Sequence, residues 1–474
     1  MTDAPGGPAT PFATRRAAAA RALRTDRSLA VVVVAAAVGL VARVVWVVEA
    51  ARPPRGLRDP VVYVEYAQTI ADGKGMIDPF SNQPTAYYPP GYPWFLGTIE
   101  WICSHTPLPD DLPLVAGLVQ AVLGALSVGL VGLLGRRLHS PVAGAVAAVV
   151  VAVMPNLVLH SATLLAETLT IALLLGLLVA LVPPVGAEPW PAGTTRSRLI
   201  AAGVLMGLVL LVRPVAAGVL VAVVACWLLG GLGWRRTLAW TGVLIGLAAL
   251  CVAPWTVRNA VRMDAFIPLS TNTGDNLCIG HAPGATGAFR LLEECEKTRP
   301  RGLLDGPAAE VADDKENTER GLRGWREGWR NEPGLTARRF EATIGRDDDA
   351  LRAVQSYDLD PWMDDGLEST LSRASNASWF LVGLVGLVGL VRLAWSREGG
   401  RLLVPLTVLA VLAAPLVTFG DPRFKVPIVP LMALAAAIAV TPRRTRAVRP
   451  ADSDPVAEPA VSDASSAAST ISAR

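Results

Sequence analysis

LAVVVVAAAVGLVARVVWVV, residues 29–48, decides the class of this chain. A helix of about 20 mostly apolar residues crosses the hydrocarbon core of a bilayer. Arg15, Arg16, Arg21, Arg24 and Arg27 precede the run. Basic residues favour the cytoplasmic side, so the N-terminus is expected inside. No small-residue cleavage site follows the run, which therefore reads as a retained helix rather than a signal peptide.

Long runs of Ala, Val, Leu and Gly recur along the chain, almost free of charge. The expected architecture is an all-α polytopic helical bundle of about ten transmembrane helices. The spans are expected at 28–49, 113–134, 141–155, 161–182, 237–255, 376–395, 401–418 and 424–440. Two more fill 199–230, broken near Arg213 and Pro214. One topology then places the basic loops 136–137, 196–198, 234–236, 397–401 and 443–449 all inside, with both termini cytoplasmic. Two mixed-charge segments, 51–111 and 258–375, fall outside. The domain limits follow: a mobile end at 1–27, a membrane domain at 28–440, and a polar, disordered tail at 441–474.

Of 474 residues, 52% are hydrophobic and 18% charged, with a net charge of +3. That apolar share is close to a soluble average, so clustering rather than content carries the assignment. The small positive excess lies beside the apolar runs. It speaks for membrane lipids as partners and against nucleic acid.

Two long loops on one face of a helix bundle point to a site at that face. In the first, Asp59 stands in RDPVVYVEYAQTIADGKG. Its carboxylate is placed to take a proton from an attacking hydroxyl. From spacing alone it suits a helix cap first, because Pro60 follows and proline favours the first helical position, and the two roles are compatible. Glu65 reads as a solvated helix residue. The tract PTAYYPPGYPW, residues 84–94, is too rich in proline for a helix interior. Its aromatics, Tyr88 and Tyr92 among them, suit a membrane interface or a substrate contact. The short apolar piece 94–104 is expected along the interface.

Glu167, in LLAETL, is an ionisable residue at membrane depth. It reads either as functional or as the partner of an arginine. Arg213, Arg258, Arg423 and Lys425 fall at the outer surface on this topology, where the positive-inside bias opposes them. Arginine forks match phosphate oxygens and lysine supplies a point charge. Together they are candidates to hold a phosphate, with Asn259 beside Arg258 as a further substrate contact. Snorkelling to headgroups is the bland alternative. Cys278 and Cys295 share the largest polar segment, where a disulfide is open if that segment is outside the cytoplasm. The acidic runs Asp347–Asp349 and Asp364–Asp365 read as solvated loop, with cation binding the alternative. GLRGWREGWRNEPG, with Trp325 and Trp329 one turn apart, reads as an amphipathic surface helix.

At these residues the chain resembles the GT-C superfamily of membrane glycosyltransferases, in the branch of protein O-mannosyltransferases and the aminoarabinose transferase of lipid A. Four pieces carry the resemblance: the Asp59 segment with YYPPGYPWFL; LLAETL; APWTVRNAVRMDAFIPLSTNTGDNLCIGHAPGATG at 253–287; and GDPRFKVPIVP at 420–430. It implies a GT-C-type bundle that takes a sugar from a polyprenyl phosphate without a metal ion or other cofactor. The acceptor would be a glycan, lipid or protein. Asp59 matches the family's base, and Arg423 best matches its phosphate holder. Relatives often carry a second acid beside the base, and here Pro60 takes that place. A transporter of lipid-linked sugars would show internal repeats and polar residues at mid-membrane, and neither is evident. A non-catalytic partner is separated from an enzyme by Asp59→Asn.

Overall fold

The computed structural model describes residues 26–56, 59–185, 190–296, 306–396 and 398–443. The tails expected at 1–27 and 441–474 lie almost wholly outside them. Helix α1 (Arg27–Ala50) starts where the Asp26 side chain accepts from the Leu29 N–H. α2 (Asp59–Ala71) and α3 (Gly91–His105) form a hairpin. α4 (Leu112–Leu138) opens on an Asp111 cap, and α5 (Pro141–Val153) on a Ser140 cap. Each has proline in its first turn, where no N–H is missed. α6 (Pro155–Leu159) and a 3₁₀ turn, His160–Ala162, lead to α7 (Glu167–Leu181). α8 (Arg196–Val212), the 3₁₀ turn Pro214–Ala216, α9 (Ala217–Leu229) and α10 (Trp234–Arg262) follow. The large loop holds α11 (Thr273–His281), α12 (Pro307–Glu327), α13 (Glu332–Ile344) and α14 (Asp349–Val354). α15 (Asp365–Trp395), α16 (Gly399–Val417), a 3₁₀ stretch Pro422–Ile428 and α17 (Val429–Val440) complete the fold.

Among the described residues, six stretches are long and apolar enough to cross a bilayer: α1, α4, α10, α15, α16 and Pro422–Val440. The pair α5–α6, bent by 62°, makes a seventh if taken as one span. The other expected crossings fall on α7, α8 and Pro214–Leu229, which are shorter. The chain is thus a multi-pass membrane protein. Three expected boundaries shift. The span placed at 161–182 begins only at Glu167. The one placed at 237–255 continues through Pro254 to Arg262, so Arg258 lies within the helix. The one placed at 376–395 starts at Asp365, where Asp364 caps it.

Arg137, Arg198, Arg401 and Arg443, each from one of the basic loops, gather at one end of the bundle. Arg137 and Arg198 both donate to the last carbonyls of α7, at Val179 and Val182. His139 meets Thr441 and Arg401, and Arg443 pairs with Glu398. The opposite end carries α2, α3 and the large loop. α17 is the central element: Val429 to Ile438 are all buried, so a helix apolar on every side is satisfied there by protein rather than lipid.

The bend between α5 and α6 has a local cause. Val151 O would normally bond the N–H four residues on, but that residue is Pro155, which has none. Arg43 of α1 fills the gap, donating to Val151 O and Ala152 O at 3.2 Å each and to Gly39 O at 3.0 Å. It is 1% exposed. Backbone carbonyls inside a bilayer find no water, so among the described residues the guanidinium takes the place of the missing donor. Arg43→Met is expected to cost about 2–4 kcal/mol for two orphaned carbonyls. It should lower the melting temperature in detergent more than Arg43→Lys does. Equal melting of all three proteins would show that the carbonyls find another donor.

Candidate active site

Asp59 is the first residue of α2, and its carboxylate points away from its own helix. Oδ1 accepts from the Tyr88 hydroxyl at 2.6 Å, and Oδ2 accepts from Arg423 at 2.5 Å. Both oxygens are engaged by these partners rather than by the N–H groups of α2, which sets the cap reading aside. Tyr88 is held edge-on by Tyr63 and Tyr87, with ring centres 5.0 and 4.9 Å away. The PTAYYPPGYPW tract is therefore turned inward. Tyr92 is buried with its hydroxyl on Gln120, and α3 packs on α2 rather than lying alone on an interface. Gly97 permits that approach, since a Cβ there would stand 2.5 Å from Ile70.

Arg423 lies on the Pro422–Ile428 turn. Asp421 accepts from its backbone N–H at 3.0 Å and lies 3.7 Å from its Nε. Arg213 sits at the break between α8 and the Pro214–Ala216 turn. Its guanidinium pairs with Glu167, the fully buried first residue of α7. The Phe424 ring centre is 5.8 Å from the Arg213 guanidinium and 5.5 Å from that of Arg423, within cation–π range of both.

These groups line a cavity of about 660 Å³. One end is polar: Asp59, Tyr88, Arg213, Asn272, Asp421 and Arg423. The other is apolar, formed by Leu174, Val209, Val212, Val219, Val411 and Pro415 from α7, α8, α9 and α16. The cavity thus runs from a charged mouth into the membrane-embedded part of the bundle.

Burial alone would raise the Asp59 pKa. The adjacent Arg423 charge, the Tyr88 and Arg423 hydrogen bonds and the more distant Arg213 outweigh it and hold the carboxyl below its ordinary value. Tyr88 moves the other way. Burial, then the Asp59 charge, keeps its phenol well above its usual pKa and therefore protonated.

The structure brings Asp59, Tyr88, Arg213 and Arg423 around one cavity, with Glu167 behind Arg213. It does not bring the others there. Arg258, expected at the phosphate, donates to Thr85 O and Met76 O at 2.8 and 2.9 Å and covers Trp255. It ties the first loop to α10. Asn259 is buried and donates to Ile267 O. Lys425 is buried on an ion pair with Asp347 at 2.9 Å. The run Asp347–Asp349 is correspondingly not solvated. Asn156 and His160 hold Asp349, and Lys425 occupies the place a cation would take at Asp347. Cys278 and Cys295 are bonded, joining α11 to the turn Glu293–Glu296 at the rim of the cavity. Trp325 and Trp329 are exposed, 49% and 62%.

Two site residues carried no sequence signal. Glu310 is buried and accepts from Thr85 Oγ1 at 2.7 Å, Ala86 N at 2.9 Å and Thr271 Oγ1 at 2.5 Å, fastening three segments beside the cavity. Tyr357 reaches the cavity from a left-handed turn, Ser356, Tyr357 and Asp358, with φ of 51°, 54° and 74°. Three consecutive non-glycine residues in that region cost about 1–2 kcal/mol each. Such strain persists only where surrounding contacts impose it. Ser356 Oγ accepts from Arg55 N, and Tyr357 N–H donates to Arg352 O.

A sequence profile described as dolichyl-phosphate-mannose-protein mannosyltransferase matches residues 88–257. The apo oligosaccharyltransferase of Archaeoglobus fulgidus aligns with a TM-score of 0.50 at 16% identity, covering 87% of this chain and 50% of its own. The fold resembles that of the aligned part of this oligosaccharyltransferase. The archaeal oligosaccharyltransferase AglB of the same organism, in complex with an inhibitory peptide and a dolichol-phosphate, aligns at TM-score 0.49 and 16% identity over 88% of this chain and 50% of that one. ArnT from Cupriavidus metallidurans, bound to undecaprenyl phosphate, aligns at 0.41 and 16% over 86% and 77%. The chain spans about half the length of the oligosaccharyltransferases it matches. No curated protein sequence matches it. The profile match covers Tyr88, Glu167 and Arg213, but neither Asp59 nor Arg423.

Proposed function

We propose that the protein is a glycosyltransferase that moves a sugar from a polyprenyl-phosphate donor to an acceptor hydroxyl, with inversion, at the extracytoplasmic side of a cell membrane. The observation that carries the reading is the Asp59–Arg423 contact at the charged mouth of a cavity whose other end is apolar. A polyprenyl phosphate has that same division, an anionic head on a hydrocarbon tail. The solved relatives that hold dolichol-phosphate and undecaprenyl phosphate support the donor class.

Arg423 and Arg213 take the donor phosphate, with the tail along the apolar wall. A phosphate arriving on Arg423 competes with Asp59 for the guanidinium and so returns basicity to the carboxylate when the donor is in place. The acceptor oxygen then attacks the anomeric carbon. Its proton passes to Asp59, the bond from that carbon to the phosphate oxygen breaks, and the electron pair leaves on the phosphate. The arginines stabilise the charge that grows there. Tyr88, still protonated, orients Asp59 by its hydrogen bond. A glycan, a lipid or a protein hydroxyl all meet this requirement. The basic loops gathered at the far end of the bundle fit a topology with cytoplasmic termini.

The test is to incubate the purified protein with a panel of radiolabelled polyprenyl monophosphate sugars and candidate acceptors. Transfer of label from at least one donor is expected, and none from nucleotide sugars. Transfer from nucleotide sugars alone refutes the donor class. The pH profile adds a check. The folded pKa of Asp59 lies below the ordinary carboxyl value of about 3.9. The charged form and its ion pair are thus present above that value and lost only as pH falls through the lowered one. In kcat/KM, which reports the free enzyme, Asp59 should contribute no acid limb between about pH 8 and pH 5. A limb in that window which Asp59→Glu displaces would contradict the ion pair.

A further inference from the structure

We propose that the buried Asp347–Lys425 ion pair is a positioning device that holds the Pro422–Ile428 turn so that Arg423 stands against Asp59. Its catalytic meaning rests on the function proposed above; its geometry does not. Lys425 lies two residues beyond Arg423 on the same turn. An ammonium has three donors, and three acceptors surround this one: Asp347 Oδ1 at 2.9 Å, Arg346 O at 2.6 Å and Pro422 O at 3.0 Å. The last contact folds the lysine back onto the residue before Arg423, closing the turn on itself. The other two fasten it to the segment between α13 and α14. Both side chains are fully buried, and neither lines the cavity.

Asp347 is itself anchored from two sides. Its backbone N–H donates to Asn376 Oδ1 of α15 at 2.5 Å, and its Oδ1 accepts from Asn156 of α6 at 3.1 Å. Asn156 also donates to Asp349, which pairs with His160 at 2.9 Å. The turn carrying Arg423 is thus referenced to α6, α14 and α15 through directional contacts. A buried ion pair adds little net stability over apolar side chains of the same volume, because both charges must leave water. What it supplies here is direction. An apolar contact allows sliding, whereas three hydrogen bonds to one nitrogen do not.

The experiment uses the full chain in detergent or nanodiscs, with Asp347→Asn, Lys425→Met and the double variant Asp347→Asn/Lys425→Met. Each single variant leaves a buried charge alone and should melt lower. The double variant removes both charges and should melt near the wild type. In it, amide hydrogen exchange across residues 421–428 should rise at least about tenfold while the remaining spans keep their protection. The turnover number should fall on the order of 10- to 100-fold with the acceptor KM unchanged, as expected for a displaced catalytic group. A folded double variant with wild-type exchange in that turn overturns the proposal. A double variant that does not fold also overturns it, because the pair would then support the fold rather than aim Arg423. Exchange needs no substrate. A rise in exchange in a protein that transfers no sugar therefore leaves the positioning role standing and removes the function instead.

Discussion

Asp59→Asn is expected to slow sugar transfer by on the order of 10²–10⁴-fold, the usual contribution of a positioned general base. The amide fills the same volume and still accepts from Tyr88, whose hydroxyl is 2.6 Å from the present carboxylate. What disappears is the site for the acceptor's proton and the charge facing Arg423. The Arg423 charge is not left alone in the variant, because Asp421 lies 3.7 Å from its guanidinium. Melting should therefore change little while turnover collapses. Binding of the donor phosphate should tighten, since Asp59 no longer competes for Arg423. The measurements are single-turnover transfer, a melting curve, and binding of undecaprenyl phosphate to both proteins. A variant that transfers at the wild-type rate removes Asp59 from the chemistry, and one that fails only because it unfolds moves Asp59 to the scaffold.

The second large effect is expected at Arg423. Arg423→Ala removes the guanidinium that meets both Asp59 and the proposed leaving group, and should lower kcat/KM by on the order of 10²–10³-fold. Two losses combine. Donor binding weakens, and the charge growing on the departing phosphate goes unopposed on one side. Arg213 remains but is held by Glu167, so it cannot move over to compensate. Without Arg423 the strongest influence lowering the Asp59 pKa is gone, and burial then pushes that carboxyl upward. The variant should therefore show an acid limb at higher pH than the wild type. Arg423→Lys keeps a charge but loses the fork, and should fall between the two. Activity and a pH profile matching the wild type would place the donor phosphate elsewhere in the cavity.

Arg213, Arg258, Arg423 and Lys425 are alike in the sequence: each is a basic residue beside an apolar run, on the side where positive charge is disfavoured. Only Arg213 and Arg423 face the cavity. Arg258 spends its donors on backbone carbonyls of the first loop, and Lys425 on Asp347. Nothing local distinguishes these fates, because the deciding partners lie 173 and 182 residues away from Arg258 and 78 residues away from Lys425. Asp347 and Asp349 fail as solvated residues for the same reason. An acidic run reads as exposed unless a distant histidine, asparagine and lysine come to meet it.

The helices show the complementary case. Hydrophobic run length marks α1, α4, α10, α15 and α16 because a bilayer imposes it on each helix separately. Run length fails where that pressure lapses. α7 starts only at Glu167, which pairs with Arg213, and α5–α6 bends because Pro155 withholds a donor that Arg43 replaces.

What the amino-acid sequence determined alone is the membrane class, the placement of the principal spans and the pairing of basic loops on one side. Each of these follows from the partitioning of a local segment between lipid and water. What tertiary structure alone decided is which carboxylate meets which guanidinium, Asp59 with Arg423 across 364 residues of chain. Charge pairing acts over a few ångströms in space and takes no account of separation along the chain. Only the packed bundle could bring those two groups together.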